Sequence, residues 1–182
     1  MNLRLGILRT WVPQFVKKRK LVELAAITAN AFGVEAPRLR GLSFSDSLQT
    51  YALFTRAEAN KVTRRNQDSR EIRERLFNNA LGLGTDLRRA LRISSQPEFM
   101  RACATIYSMI GIDFRPDIHG QATVPKCYFS RYYSGAICRL ISALDEGLVA
   151  GLSGGGRLSF YQRITEGYDC CRAHLALPGA ES

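Results

Sequence analysis

The chain has 182 residues, is 46% hydrophobic and 23% charged, and carries a formal net charge of +10. That length suits one domain able to bury its own core, and that composition excludes a disordered chain. No apolar run approaches the roughly 18–20 residues needed to span a bilayer, and the arginine-dotted residues 1–11 lack the apolar region of a secretory signal, so the expectation is a cytoplasmic protein.

The first ~110 residues read as helices. Leu5, Leu8, Val12, Phe15 and Val16 recur at helical spacing, with Pro13 breaking or bending the stretch. Residues 21–32 are rich in Leu and Ala and meet a stop at Gly33. Ser43 or Ser45 caps a long helix through Leu48, Ala52 and Ala59, with Asp46 in its first turn, where the helix dipole favours an acid. Another helix begins at Asp68 and runs through Ile72, Leu76 and Phe77. Gly82 and Gly84 are expected to interrupt it, and Thr85-Asp86 to restart it. Ser95, Pro97 and Glu98 open a helix that stops at Gly111, with Cys103 as a small core residue on its apolar side.

From Gly111 the period changes to two. Ile112, Phe114 and Ile118 alternate with polar residues, His119-Gly120 is a turn, and residues 121–127 alternate again with Pro125 marking an edge or the strand's end. Ser134 opens a helix through Gly151, followed by a flexible Gly154–Gly156 connection. Leu158, Phe160 and Ile164 then share one side of a strand, and Cys171, Ala173, Leu175 and Leu177 one side of the last. The expected architecture is α+β: a helical N-terminal half (1–94), a ββαββ antiparallel-sheet region (95–177) and a loose tail (178–182), all one domain.

Charge divides unevenly. Residues 1–92 hold eighteen basic against eight acidic side chains, and residues 93–182 hold eight of each. An anionic partner, nucleic acid or a membrane surface, is one reading; solvated helix faces are the favoured one, because no aromatics interleave with the basic clusters. Five cysteines without a C-x-x-C pair do not form a disulfide scaffold, and they leave core, metal-ligand and nucleophile roles open. No phosphate-binding glycine loop is present, since the Gly154–Gly156 run lacks a following lysine.

The groups suited to chemistry lie in the neutral half. On the helix from Ser134, Ile137, Ile141, Leu144 and Leu148 form the buried stripe. Cys138 and Asp145 stand two turns apart, on a line rotated roughly 70–90° from that stripe, where a side chain faces a pocket margin. This favours a functional Asp145 and a structural Cys138. Cys171 belongs to the apolar face of the last strand, whereas Cys170 shares a face with Arg172 and His174 and is the more reactive thiol in isolation. Cys127, at a strand end, reaches the same region. Arg163 falls opposite Phe160 and Ile164, on the solvated side.

Cys127-Tyr-Phe, Ile137-Cys138, Leu144-Asp145-Glu-Gly-Leu, Gly156-Arg-Leu-Ser-Phe160, Ile164-Thr-Glu-Gly167 and Cys171 together resemble the L-2-amino-thiazoline-4-carboxylic acid hydrolase family over residues 95–177. Tyr128, where proline is usual, and Arg172-Ala-His174 depart from that pattern. The resemblance implies an enzyme, a hydrolase that opens a small cyclic amidine. Cys127 or Cys171 would be the nucleophile, or else activate water or bind a metal. Asp145 would be the acid/base or the amidinium anchor. Cys138 and Arg163 would bind substrate, Arg163 through a carboxylate. The cysteine and glycine layout is also similar to 4-vinyl-reductase-type domains, which implies the alternative: a non-catalytic small-molecule-binding, sensor or accessory module, with a metal at the cysteines as one option.

Overall fold

The computed structural model describes residues 12–64 and 69–178. The expected helix around Leu5 and Leu8, the start at Asp68 and the tail beyond Pro178 lie outside the described residues. Four helices come first: α1 (Gln14–Phe32), α2 (Phe44–Arg64), α3 (Ser69–Leu91) and α4 (Gln96–Met109). Then follow β1 (Ile112–Pro116), β2 (Gln121–Cys127), a 3-10 turn (Tyr128–Arg131), α5 (Gly135–Ser153), β3 (Arg157–Gln162), a second 3-10 turn (Ile164–Glu166) and β4 (Cys171–Ala176). The fold is α+β, with the ββαββ order in its second half.

Local chemistry sets most of the boundaries. Pro13, which cannot continue a helix backwards, immediately precedes α1, and Gly33 ends it at φ 69°. Ser43 Oγ accepts from the Asp46 amide at 3.1 Å and donates to the Asp46 carboxylate at 2.6 Å, a reciprocal cap for α2. Ser134 Oγ accepts from the Ile137 amide at the start of α5. The turn after α5 is tied rather than loose: the Gly154 and Gly155 amides donate to the Ala150 carbonyl, and the Gly156 amide donates to Ser153 Oγ at 2.7 Å.

Helix α3 runs unbroken through Gly82 and Gly84, contrary to the sequence expectation. At Gly84 the reason is tertiary. Helices α3 and α5 pack backbone against backbone, and a Cβ built on Gly147 would stand 2.1 Å from the Phe77 carbonyl oxygen, one on Gly151 2.3 Å from that of Leu81, and one on Gly84 2.5 Å from that of Leu148. These glycines are contact points, and the packed neighbour offsets their poor helix propensity.

The sheet order is β1-β2-β4-β3, antiparallel throughout. Ile112, Phe114, Ala122, Val124, Leu158, Cys171, Ala173 and Leu175 point inward, joining Phe99, Cys103 and Tyr107 of α4 and Leu152 of α5 in the main core. A second cluster, including Ala59, Val62, Leu76, Ile137 and Ile141, seals α2, α3 and α5 together. Ile118 falls beyond β1, in the hairpin, and is 74% exposed, so the alternation expected of it ends at Pro116. No helix among the described residues is long and apolar enough to cross a membrane.

Candidate functional site

Between the inner face of the sheet, α4 and α5 lies a hollow of about 100 Å³, bordered by Cys127, Cys138, Asp145 and Cys171. A smaller lobe of about 50 Å³ shares those four residues and adds Arg163 and Phe160. A hollow needs roughly 10–15 Å³ to hold one water-sized group, so the larger lobe admits a ligand of on the order of ten non-hydrogen atoms. Apart from these groups its wall is chiefly apolar, with Leu24 of α1, Leu83 of α3, Ile110 beyond α4 and Leu148 of α5.

Helix geometry brings Cys138 and Asp145 here: seven residues apart, they project along one line of α5 beside its buried stripe. Cys171 enters from the inward-facing register of β4, opposite Val124 of β2, and accepts a hydrogen bond from the Ile164 amide at 3.4 Å. Cys127 closes β2, where the chain tightens into the first 3-10 turn.

Arg163 is only 9% exposed, against the expectation of a solvated side chain. A β-bulge between Phe160 and Gln162, with the strand ending at Gln162, breaks the alternation that would have turned it outward. Its guanidinium lies over the Phe160 ring and makes only long hydrogen bonds, to the Phe160 carbonyl at 3.4 Å and Ser142 Oγ at 3.5 Å.

Tyr107 and Thr165 are the wall residues that sequence reasoning passed over. Tyr107 stacks on Phe114 with ring centroids 4.6 Å apart, and its hydroxyl acts on the Asp145 carboxyl. A tyrosine on a buried helical stripe signals a hydroxyl in need of a partner, but not where that partner lies. Thr165 stands in the second 3-10 turn, beside Cys138. Among the described residues, the buried side-chain polar atoms without a hydrogen-bond partner are Tyr107 Oη, Arg163 Nε and Thr165 Oγ1. All three residues border this hollow. The Tyr107 and Thr165 hydroxyls influence Asp145 and Cys138 respectively, but sit outside good hydrogen-bond geometry.

Burial governs ionisation. It pushes the Asp145 carboxyl up to about 7, with Tyr107 opposing, Glu146 adding and Arg163 opposing. The surface that Asp145 retains lies against the hollow, so its desolvation is real although the side chain is not sealed by packing. Burial likewise pushes the Cys127 thiol up to about 12 and raises those of Cys138 and Cys171. Cys103, fully enclosed in α4, is raised well beyond the usual range. Cys170 lies near the start of β4 and does not border the hollow, and both His119 and His174 are directed away from it. Among the described residues no group of three or more His, Cys, Asp or Glu is arranged to hold a metal ion.

No protein-family model matches the chain, and no curated protein matches it by sequence. Among solved structures, the crystal structure of an H-NOX protein from S. oneidensis in the Fe(II)NO ligation state aligns over 90% of this chain and 98% of that one, at 14% identity and a TM-score of 0.43. The expectation of a ring-opening hydrolase is corrected here. What overturns it is the site itself, which holds no activated thiol nucleophile. A thiol attacks as its thiolate, and the three thiols of the hollow are held protonated by burial, with no imidazole in its wall to take the proton.

Proposed function

We propose that the chain is a non-catalytic small-molecule-binding module, a sensor or accessory domain, that takes a compact, largely apolar ligand into the hollow between α4, α5 and the sheet. This keeps the kinship suggested by the 4-vinyl-reductase-like layout of cysteines and glycines. One observation carries the reading: the three unpartnered buried polar atoms of the described residues belong to residues that surround a single apolar space. Native interiors leave few such groups, and a shared location means a shared missing partner. Pockets of this character, apolar with a few convergent polar groups, are the usual form of small-molecule sites. The neutral thiols then act as soft, apolar wall.

Toluene and indole, both within the size limit, test the reading. Either should raise the melting temperature and shift the NMR signals of residues around Leu144 and Leu148. Leu148→Trp, which fills the hollow from within, should abolish both effects while leaving the helical spectrum intact. Unchanged melting and spectra at near-saturating concentrations of both compounds would refute a binding role.

A further inference from the structure

We infer that the ligand of the hollow bears a carboxylate, received by Arg163, on an apolar body that lies in the larger lobe. This rests on the binding reading above and adds the charge of the ligand to it. A guanidinium keeps its charge in proteins, and a buried charge is costly unless it is paired and hydrogen-bonded. Arg163 forms no ion pair among the described residues, whereas Arg73, which borders the same surface groove, is paired with Glu146. Its contacts are two long bonds to neutral acceptors, and its Nε has none.

The missing partner is therefore an anion, and the planar fork of donors suits a carboxylate. The hydroxyl of Tyr107, unpartnered and bordering both lobes, supplies a further donor to such a head. Asp145 stands within electrostatic reach of Arg163 but does not bond to it, and its protonated form removes the repulsion an anionic ligand would meet.

Access points the same way. Arg163 and Phe160 border the smaller lobe and also a surface groove of about 630 Å³ that holds Arg73 and Arg157. The partition between solvent and hollow is thus the Arg163 side chain stacked on Phe160, approached through a groove with three arginines and one glutamate, Glu146. A negative ligand is drawn along that route.

Benzoate, benzamide and benzamidine have one shape and are anionic, neutral and cationic. Titrated by calorimetry at pH 6, benzoate should bind roughly 10- to 100-fold more tightly than benzamide, the scale of a hydrogen-bonded charge pair, and benzamidine most weakly. Arg163→Met should remove the preference for benzoate while toluene binding persists; Arg163→Lys, which keeps the charge without the fork, should retain part of it. Equal binding of benzoate and benzamide, or a preference for benzamidine, overturns the carboxylate and leaves the binding module standing if toluene binds. Failure of every probe, toluene included, overturns both. The ranking in the unmodified chain decides the matter even if the Arg163 variants do not fold.

Discussion

Asp145→Asn replaces a buried carboxyl by a neutral group of the same shape, and its effect should depend on pH in one direction only. In the folded chain the carboxyl is raised from an ordinary 3.8 up to about 7 by desolvation. Between these values the folded form keeps a proton that the unfolded form has lost, so stability falls as pH rises through the window and is lowest above about 7. A shift of roughly three units corresponds to about 4 kcal/mol at 1.36 kcal/mol per unit, an upper bound because water entering the hollow solvates the carboxylate. The groups that face Asp145 are Tyr107 from α4, Cys127 from β2, Cys171 from β4, Arg163 after β3, and Cys138 and Glu146 on α5 itself. The amide of the variant cannot titrate. Urea unfolding of both proteins from pH 4.5 to 8 should show a small difference at the acid end, and at pH 8 the Asp145→Asn variant should be the more stable by up to about 4 kcal/mol. A constant difference across the range, or a wild type that is the more stable at pH 8, would refute the desolvated carboxyl.

Gly151→Ala and Gly147→Ala should each destabilise the fold by about 3 kcal/mol or more, because the added methyl meets backbone of α3 that cannot rotate away; chemical denaturation measures it. Site-resolved alkylation at pH 7.5 should find Cys127 on the order of a thousandfold slower than a free cysteine, as its thiolate is so scarce, and rapid labelling of Cys127 would restore the case for a nucleophile. Thr165→Val deletes an unpartnered hydroxyl at constant shape and should be neutral or stabilising by about 1 kcal/mol, read from the same denaturation curves.

What could be read along the chain was what local chemistry decides. Ser43, Ser134 and Gly33 mark helix ends through bonds to residues within three or four positions, so their meaning is visible in a short window. The change of period at Gly111 likewise announces the sheet. The angle between Asp145 and the Ile137–Leu148 stripe follows from helix geometry alone. Gly84 misled because glycine in a helix reads as a break until a second helix is known to lie against it, and Gly82, with open space beside it, is carried in the same unbroken helix. Arg163 misled because one bulge reverses every later face of a strand. Tyr107 and Thr165 gave no signal of their own; being unpartnered is a property of three-dimensional surroundings.

The hollow is better understood by comparison with how the same chain treats its other buried polar groups. Thr28 Oγ1 donates to the Leu24 carbonyl at 2.7 Å and shares a 3.0 Å bond with the Tyr51 hydroxyl; Thr55 bonds the Tyr51 carbonyl and the Tyr133 hydroxyl; Ser153 closes the turn after α5. Each of these Thr and Ser hydroxyls makes at least two bonds, and the Tyr51 and Tyr133 hydroxyls, in the same neighbourhood as Tyr107, each have a partner. Poor packing would scatter unpaired atoms among all these sites. Instead, among the described residues, they gather on Tyr107, Arg163 and Thr165, around one space, together with a guanidinium that has no ion pair there and a carboxyl that holds its proton near neutrality. Stability given up at one place and conserved elsewhere is the mark of a site kept ready for a molecule from outside.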